Sequence, residues 1–128
     1  MTEYYAEGRA LSREGAFQLV AEEVWRDGQV EDFEQNFLEA LARFLNLDAA
    51  MSRKILHRVE DLYRRGRLGE SRRLDPELLY YRILFIIWSD GRVDQLETRI
   101  LAGLQRALRV TPEMHEQILQ NIQRKNAT

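Results

Sequence analysis

Trp25-Arg26-Asp27-Gly28-Gln29-Val30-Glu31-Asp32-Phe33-Glu34 returns 63 positions later as Trp88-Ser89-Asp90-Gly91-Arg92-Val93-Asp94-Gln95-Leu96-Glu97. Each copy interrupts a helical pattern with one tight turn. Glycine at the end of an apolar helix takes the left-handed conformation without a Cβ clash, so Gly28 and Gly91 are predicted to end the helices before them. An acid four positions after each turn's central Asp then opens the next helix, as Glu31 in one copy and Asp94 in the other. Aligned at this offset, residues 24–56 and 87–119 are identical at 12 of 33 positions, without a gap. The identities include Leu38/Leu101, Leu41/Leu104 and Ile55/Ile118, apolar residues at helical spacing.

Working outward, each half reads as three helices. In the first half, Ser12 is a candidate N-cap, and Phe17, Val20, Ala21 and Val24 fall on one helical face. Phe33, Phe37, Ala40, Leu41 and Phe44 form the predicted buried stripe of a second helix, from Glu31 to about Leu45. Asp48 caps a third, with Met51, Ile55, Val59 and Leu62 inward and Gly66 at its end. Residues 66–74 have no period and make the long internal connection. The second half opens at Asp75-Pro76-Glu77, a capping acid, a proline at the first helical position and an acid suited to the helix dipole. Its first helix is apolar nearly all round, from Leu78 to Trp88, and such a helix belongs in the middle of a domain. A fifth helix follows Asp94, with Leu96, Ile100, Leu101, Leu104 and Leu108 inward. Thr111-Pro112-Glu113 opens a sixth, with Met114, Ile118, Leu119 and Ile122 inward and a tail expected to fray from Arg124.

The expected fold is therefore all-α: one compact domain over 1–128, a bundle of six to seven helices. Two three-helix repeats, about 12–66 and 75–124, would pack face to face about a pseudo-two-fold axis, because each alone leaves an apolar face open. The chain has no Cys, which removes disulfides, thiolate metal sites and cysteine nucleophiles. Its first residues lack the pattern of a signal peptide, and its longest apolar run is too short for a bilayer, which takes about 20 residues. A cytoplasmic, membrane-free protein is the expectation.

This arrangement resembles the TerB-like (tellurite-resistance) domain family. The resemblance is carried by Asp27-Gly28-Gln29-Val30 with Glu34 and by Asp90-Gly91-Arg92-Val93 with Glu97, each after an apolar helix and before a Leu-rich one. It covers about residues 12–122. Membership would imply a bundle of about seven helices, an association with stress responses such as tellurite resistance, and a likeness to a module of a membrane-tethered DnaJ-like co-chaperone. The second copy departs from the family in reading Trp-Ser-Asp-Gly where many relatives have Ala-x-Asp-Gly.

Two groups of residues are candidates for function. The first is the acidic turns. Glu31/Glu34 and Asp94/Glu97 have capping-box spacing, which needs no ligand. Asp27, Glu31 and Glu34 together with Asp90, Asp94 and Glu97 can alternatively hold a divalent cation of the Ca²⁺ or Mg²⁺ type, if the fold brings the two turns together. An EF-hand is excluded. Its first loop position would be Glu23 or Ile86 and its third Trp25 or Trp88, and indole and aliphatic groups do not ligate calcium.

The second group is basic. Net charge is −2, yet residues 1–50 hold 11 acids and 4 bases while residues 51–73 hold 8 bases and 3 acids. Arg64, Arg65, Arg67, Arg72 and Arg73 around the internal connection, with Arg53, Lys54 and Arg58 before them, suit an acidic protein surface or a second copy of the chain. Nucleic acid is the poorer fit, because Tyr63 is the sole aromatic nearby. His57 and His115 are not at metal-binding spacing, and no nucleophile–base pair, phosphate loop or cofactor motif occurs, so a non-enzymatic binding module is expected.

Overall fold

Ser12 begins the described structure by accepting the Gly15 N–H on its hydroxyl at 2.9 Å, and the first helix, α1 (Arg13–Trp25), follows directly. The computed structural model describes residues 12–26, 30–68, 75–89, 91 and 98–125. After α1 come α2 (Asp32–Phe44), α3 (Ala49–Arg64), α4 (Pro76–Ser89), α5 (Thr98–Leu108) and α6 (Pro112–Lys125), and no strand occurs among the described residues.

The helix ends are set by local chemistry. Asp48 accepts the Met51 N–H at 2.7 Å to start α3, and Thr111 accepts the Met114 N–H at 3.1 Å to start α6. Asp75 accepts the Glu77 N–H at 2.9 Å ahead of α4. Each such cap satisfies a backbone donor that the helix itself leaves open. Gly66 (φ +68°) closes α3: its N–H reaches the Tyr63 carbonyl, and the Arg67 N–H reaches Leu62 at 2.8 Å. That pair of bonds is a Schellman closure. Asn46 ends α2 in the same way at φ 63°, and Arg109, in the left-handed region at φ 57°, follows α5. Helices α1 and α4 start at Arg13 and Pro76, and α3 and α6 at Ala49 and Pro112, so both pairs keep the 63-residue spacing found in the sequence. Gly91 also has positive φ, as predicted, whereas Gly28 lies outside the described residues, as does the predicted start of the fifth helix at Asp94.

Around α1 the bundle closes. It packs against α2, α3, α4 and α5, and Ala16, Phe17, Val20, Ala21 and Val24 are buried on it. Small residues on more than one side let four neighbours approach closely. Helix α4, expected at the centre, packs on α1, α5 and α6 instead. Leu79, Tyr80, Ile83, Leu84 and Ile87 are buried, while Leu78, Phe85, Ile86 and Trp88 stay half-exposed. Its buried side also contains two polar residues, Tyr80 and Arg82. The Tyr80 hydroxyl lies 2.7 Å from Nδ1 of His115 on α6 and accepts from Gln105 of α5 at 3.4 Å. Burial pushes the Tyr80 phenol up from its ordinary value, and the Gln105 bond pulls it back. His115 is thus half-buried and serves to join three helices.

Two further expectations change. Phe33, placed in the buried stripe of α2, is 44% exposed, with the Arg106 guanidinium of α5 over its ring at 5.0 Å. Arg124 and Lys125 remain helical, and the Lys125 ammonium lies 5.9 Å from the Tyr81 ring centre, which favours the last turn of α6 by cation–π attraction.

Candidate functional site

Of the six carboxylates considered for a cation, Glu31 and Glu34 are described, and Asp27, Asp90, Asp94 and Glu97 lie outside the described residues. Glu31 is the N-cap of α2. Glu34 reaches back to accept the Glu31 N–H at 3.0 Å, and the Glu31 carboxylate faces the backbone N–H of Glu34, completing a capping box. No three metal-ligating side chains cluster among the described residues. The capping function predicts that Glu34→Ala lowers stability by about 1 kcal/mol, equally with and without millimolar Ca²⁺ in a thermal melt. A loss that appears only with Ca²⁺ present would identify Glu34 as a ligand instead.

The basic group divides into two parts. Arg64 pairs with Glu60, and Arg65 with Asp61 at 3.1 Å, each one turn back along α3. Both also sit at the C-terminal end of their helix, where cations are favoured by its dipole. These two arginines have sufficient structural reasons for their positions. Arg67 is exposed but already engaged, and Arg72 and Arg73 lie outside the described residues.

Earlier on the same helix, Arg53, Lys54, His57 and Arg58 are all exposed. Their spacing of i, i+1, i+4 and i+5 puts them in one contiguous patch on the outer surface. Arg53, Lys54 and Arg58 form no ion pair among the described residues, and no acid occupies the first turn of α3. The patch therefore projects three permanent charges that no described acid pairs with. On its inner side α3 is anchored by Ile55 and Val59, buried against α1 and α2, so the patch stands on a rigid support. Tyr63 is 38% exposed, but its ring leans on Trp25 with centroids 5.3 Å apart, tilted by 44°. It braces α3 against the end of α1 and is not a free stacking platform.

Sequence reading placed the emphasis on Arg64 and Arg65 and treated Arg53, Lys54 and Arg58 as their surroundings. The signal that would have reversed this was present: Glu60/Arg64 and Asp61/Arg65 are i, i+4 pairs, whereas Arg53 and Lys54 have Ala49 and Ala50 one turn before and His57 and Arg58 one turn after.

A second feature is a cleft of about 200 Å³ between the end of α1, the first half of α2 and the second half of α5, lined among others by Val24, Phe33, Phe37, Gly103, Arg106 and Arg109. Among the described residues no helix is long and apolar enough to cross a membrane. Compared with known proteins, the chain matches no protein-family model, no curated protein and no solved structure. The likeness to TerB-like domains accordingly rests on the two Asp-Gly stretches and their flanking helices.

Proposed function

We propose that the chain is a cytoplasmic, non-enzymatic TerB-like module that binds an acidic protein surface through the outer face of α3, within a stress-linked assembly. The observation that carries this reading is the patch of Arg53, Lys54 and Arg58, exposed on a well-anchored helix with no acid partner among the described residues. Uncompensated cations in one patch repel each other and add nothing to folding; an acidic partner converts that repulsion into attraction. Protein is favoured over nucleic acid on two grounds. The chain is acidic overall, at −2, and among the described residues the patch has no free aromatic ring on which bases could stack.

The same reading takes the chain as two copies of one three-helix unit. Supporting it are the helix starts and left-handed turn residues that keep the sequence offset, together with the matched caps Asp48 and Thr111. In the first copy the third helix has the cationic patch. At the matching positions of the second, Arg53, Lys54 and Arg58 are replaced by Glu116, Gln117 and Asn121. Repeats that share a core but differ in surface charge are suited to different surroundings, and the first copy is the one equipped for an acidic partner.

The test is capture on the immobilised chain from extracts of the source cell. A partner held by the patch is retained at about 0.05 M salt and released near 0.5 M, where the screening length falls well below ~10 Å. It also resists competition by duplex DNA. Partners that survive high salt unchanged, or are displaced by DNA alone, would contradict the proposal.

A further inference from the structure

Helix α2, which packs on α3, has an outer face of the opposite character to the α3 patch. Its exposed positions 32, 35, 36, 39 and 43 follow i, i+3, i+4, i+7 and i+11, which is one side of a helix. That side holds Asp32, Gln35, Asn36, Glu39 and Arg43, and no apolar residue. Glu39 and Arg43 are one turn apart, yet neither they nor Asp32 form an ion pair or side-chain hydrogen bond among the described residues. The same holds for Arg53, Lys54 and Arg58 on α3. Two neighbouring helices thus show unpaired charge of opposite sign, and the fold does not bring the two sets together.

From N- to C-terminus the signs run in opposite order on the two faces. On α2 they are acid, acid, base, at Asp32, Glu39 and Arg43. On α3 they are base, base, acid, at Arg53 with Lys54, at Arg58, and at Asp61, an exposed acid shared with Arg65. At about 1.5 Å per residue, the α2 charges stand at about 0, 10.5 and 16.5 Å along their helix. Those of α3 stand at about 1, 7.5 and 12 Å along theirs. A shift of about 3 Å brings all three into step to within about 4 Å, a gap that long arginine and lysine side chains span. Arg64 and Arg65 then lie beyond Arg43, tied back by Glu60 and Asp61.

From this we infer that the acidic surface taken by the α3 patch is the outer face of α2 on a second copy of this chain, the two helices running in the same direction. The inference rests on the α3 patch being a site for acidic protein surfaces, and it names the occupant. An antiparallel pairing would set Arg43 against Arg53 and Lys54 and is disfavoured. The contact uses a different face on each copy, so it is head-to-tail, and every copy keeps one free face with which to extend a chain or close a ring. Exposed ion pairs are individually weak, and an interface of charges without an apolar centre is readily reversed. Association therefore belongs at roughly 0.1–1 mM.

Sedimentation of the full chain up to about 1 mM, at about 0.05 M and 0.5 M salt, tests the inference. At low salt the average mass of the parent should rise above the 15.2 kDa of one chain, and at high salt it should fall back. An α3 variant (Arg53→Glu, Lys54→Glu and Arg58→Glu) and an α2 variant (Asp32→Lys and Glu39→Lys) should each remain single chains, because each sets like charges face to face. Mixed in equal amounts they should associate again: reversed α3 meets reversed α2, and native α2 meets native α3. Asp32 lies in the first turn of α2, where a cation opposes the helix dipole, so Glu39→Lys alone provides a mid-helix check and should weaken self-association roughly threefold or more. Association indifferent to salt, a mixture that remains single chains, or a parent that stays a single chain at about 1 mM would overturn the inference. In the last case, salt-sensitive capture of another acidic protein would leave the α3 reading standing, and loss of both would remove it.

Discussion

Replacing Phe17 by alanine should unfold the whole domain at a markedly lower temperature, at a cost of about 3–5 kcal/mol. The residue is fully buried on α1, the helix that packs against α2, α3, α4 and α5. A cavity there removes contacts with several neighbours at once, and close packing prevents all of them from collapsing into it. For a chain of this size such a loss lowers the melting temperature by roughly 10 °C or more. The informative comparison is Phe85→Ala on α4, a half-exposed residue of the same type. If α1 is the hub, the Phe85 variant loses well under half as much. Equal losses in calorimetry would restore α4 to the centre, where its apolar composition alone had placed it.

That contrast shows what was legible in the sequence. Ser12, Asp48, Asp75 and Thr111 could be read as caps because capping is decided within three residues, and each accepts a backbone N–H as expected. Gly66 was readable for the same reason. Centrality is different in kind. A helix such as α4 can be apolar on most sides and still leave Phe85 and Trp88 half-exposed, whereas small residues such as Ala16 and Ala21 let α2, α3, α4 and α5 close on α1. Phe33 illustrates the same limit. Its spacing fits the stripe of α2, but its burial depends on Gly103 and Ala107, some 70 residues away and readable only once α2 and α5 are side by side. The Tyr80–His115–Gln105 contact likewise joins three helices and leaves no local signature. Within the candidate site, the basic character of α3 was plain, but the division of labour along it was not. Pairing by Glu60 and Asp61 takes Arg64 and Arg65 into the fold's own electrostatics, whereas Arg53, Lys54 and Arg58 have no acid partner among the described residues.

The second large effect is on that association. Reversing all three charges, as Arg53→Glu, Lys54→Glu and Arg58→Glu together, should weaken partner binding by about 100-fold or more, because attraction is replaced by like-charge repulsion across the interface. Folding should be almost unaffected. The three side chains are exposed and have no ion pair among the described residues, so their reversal removes no contact that the bundle needs. Neutralising Arg64 and Arg65 to glutamine is the matched control. It breaks two surface pairs of small energetic value and should leave binding near the parent level.

Titration of the captured partner against these two variants and the parent, at one fixed low salt concentration, is the most direct measurement of how the chain works. The account predicts loss of binding for the Arg53/Lys54/Arg58 variant with an unchanged melting curve, and retention for the Arg64/Arg65 variant. Parent-level affinity in the triple variant, or loss confined to the Arg64/Arg65 variant, would contradict it.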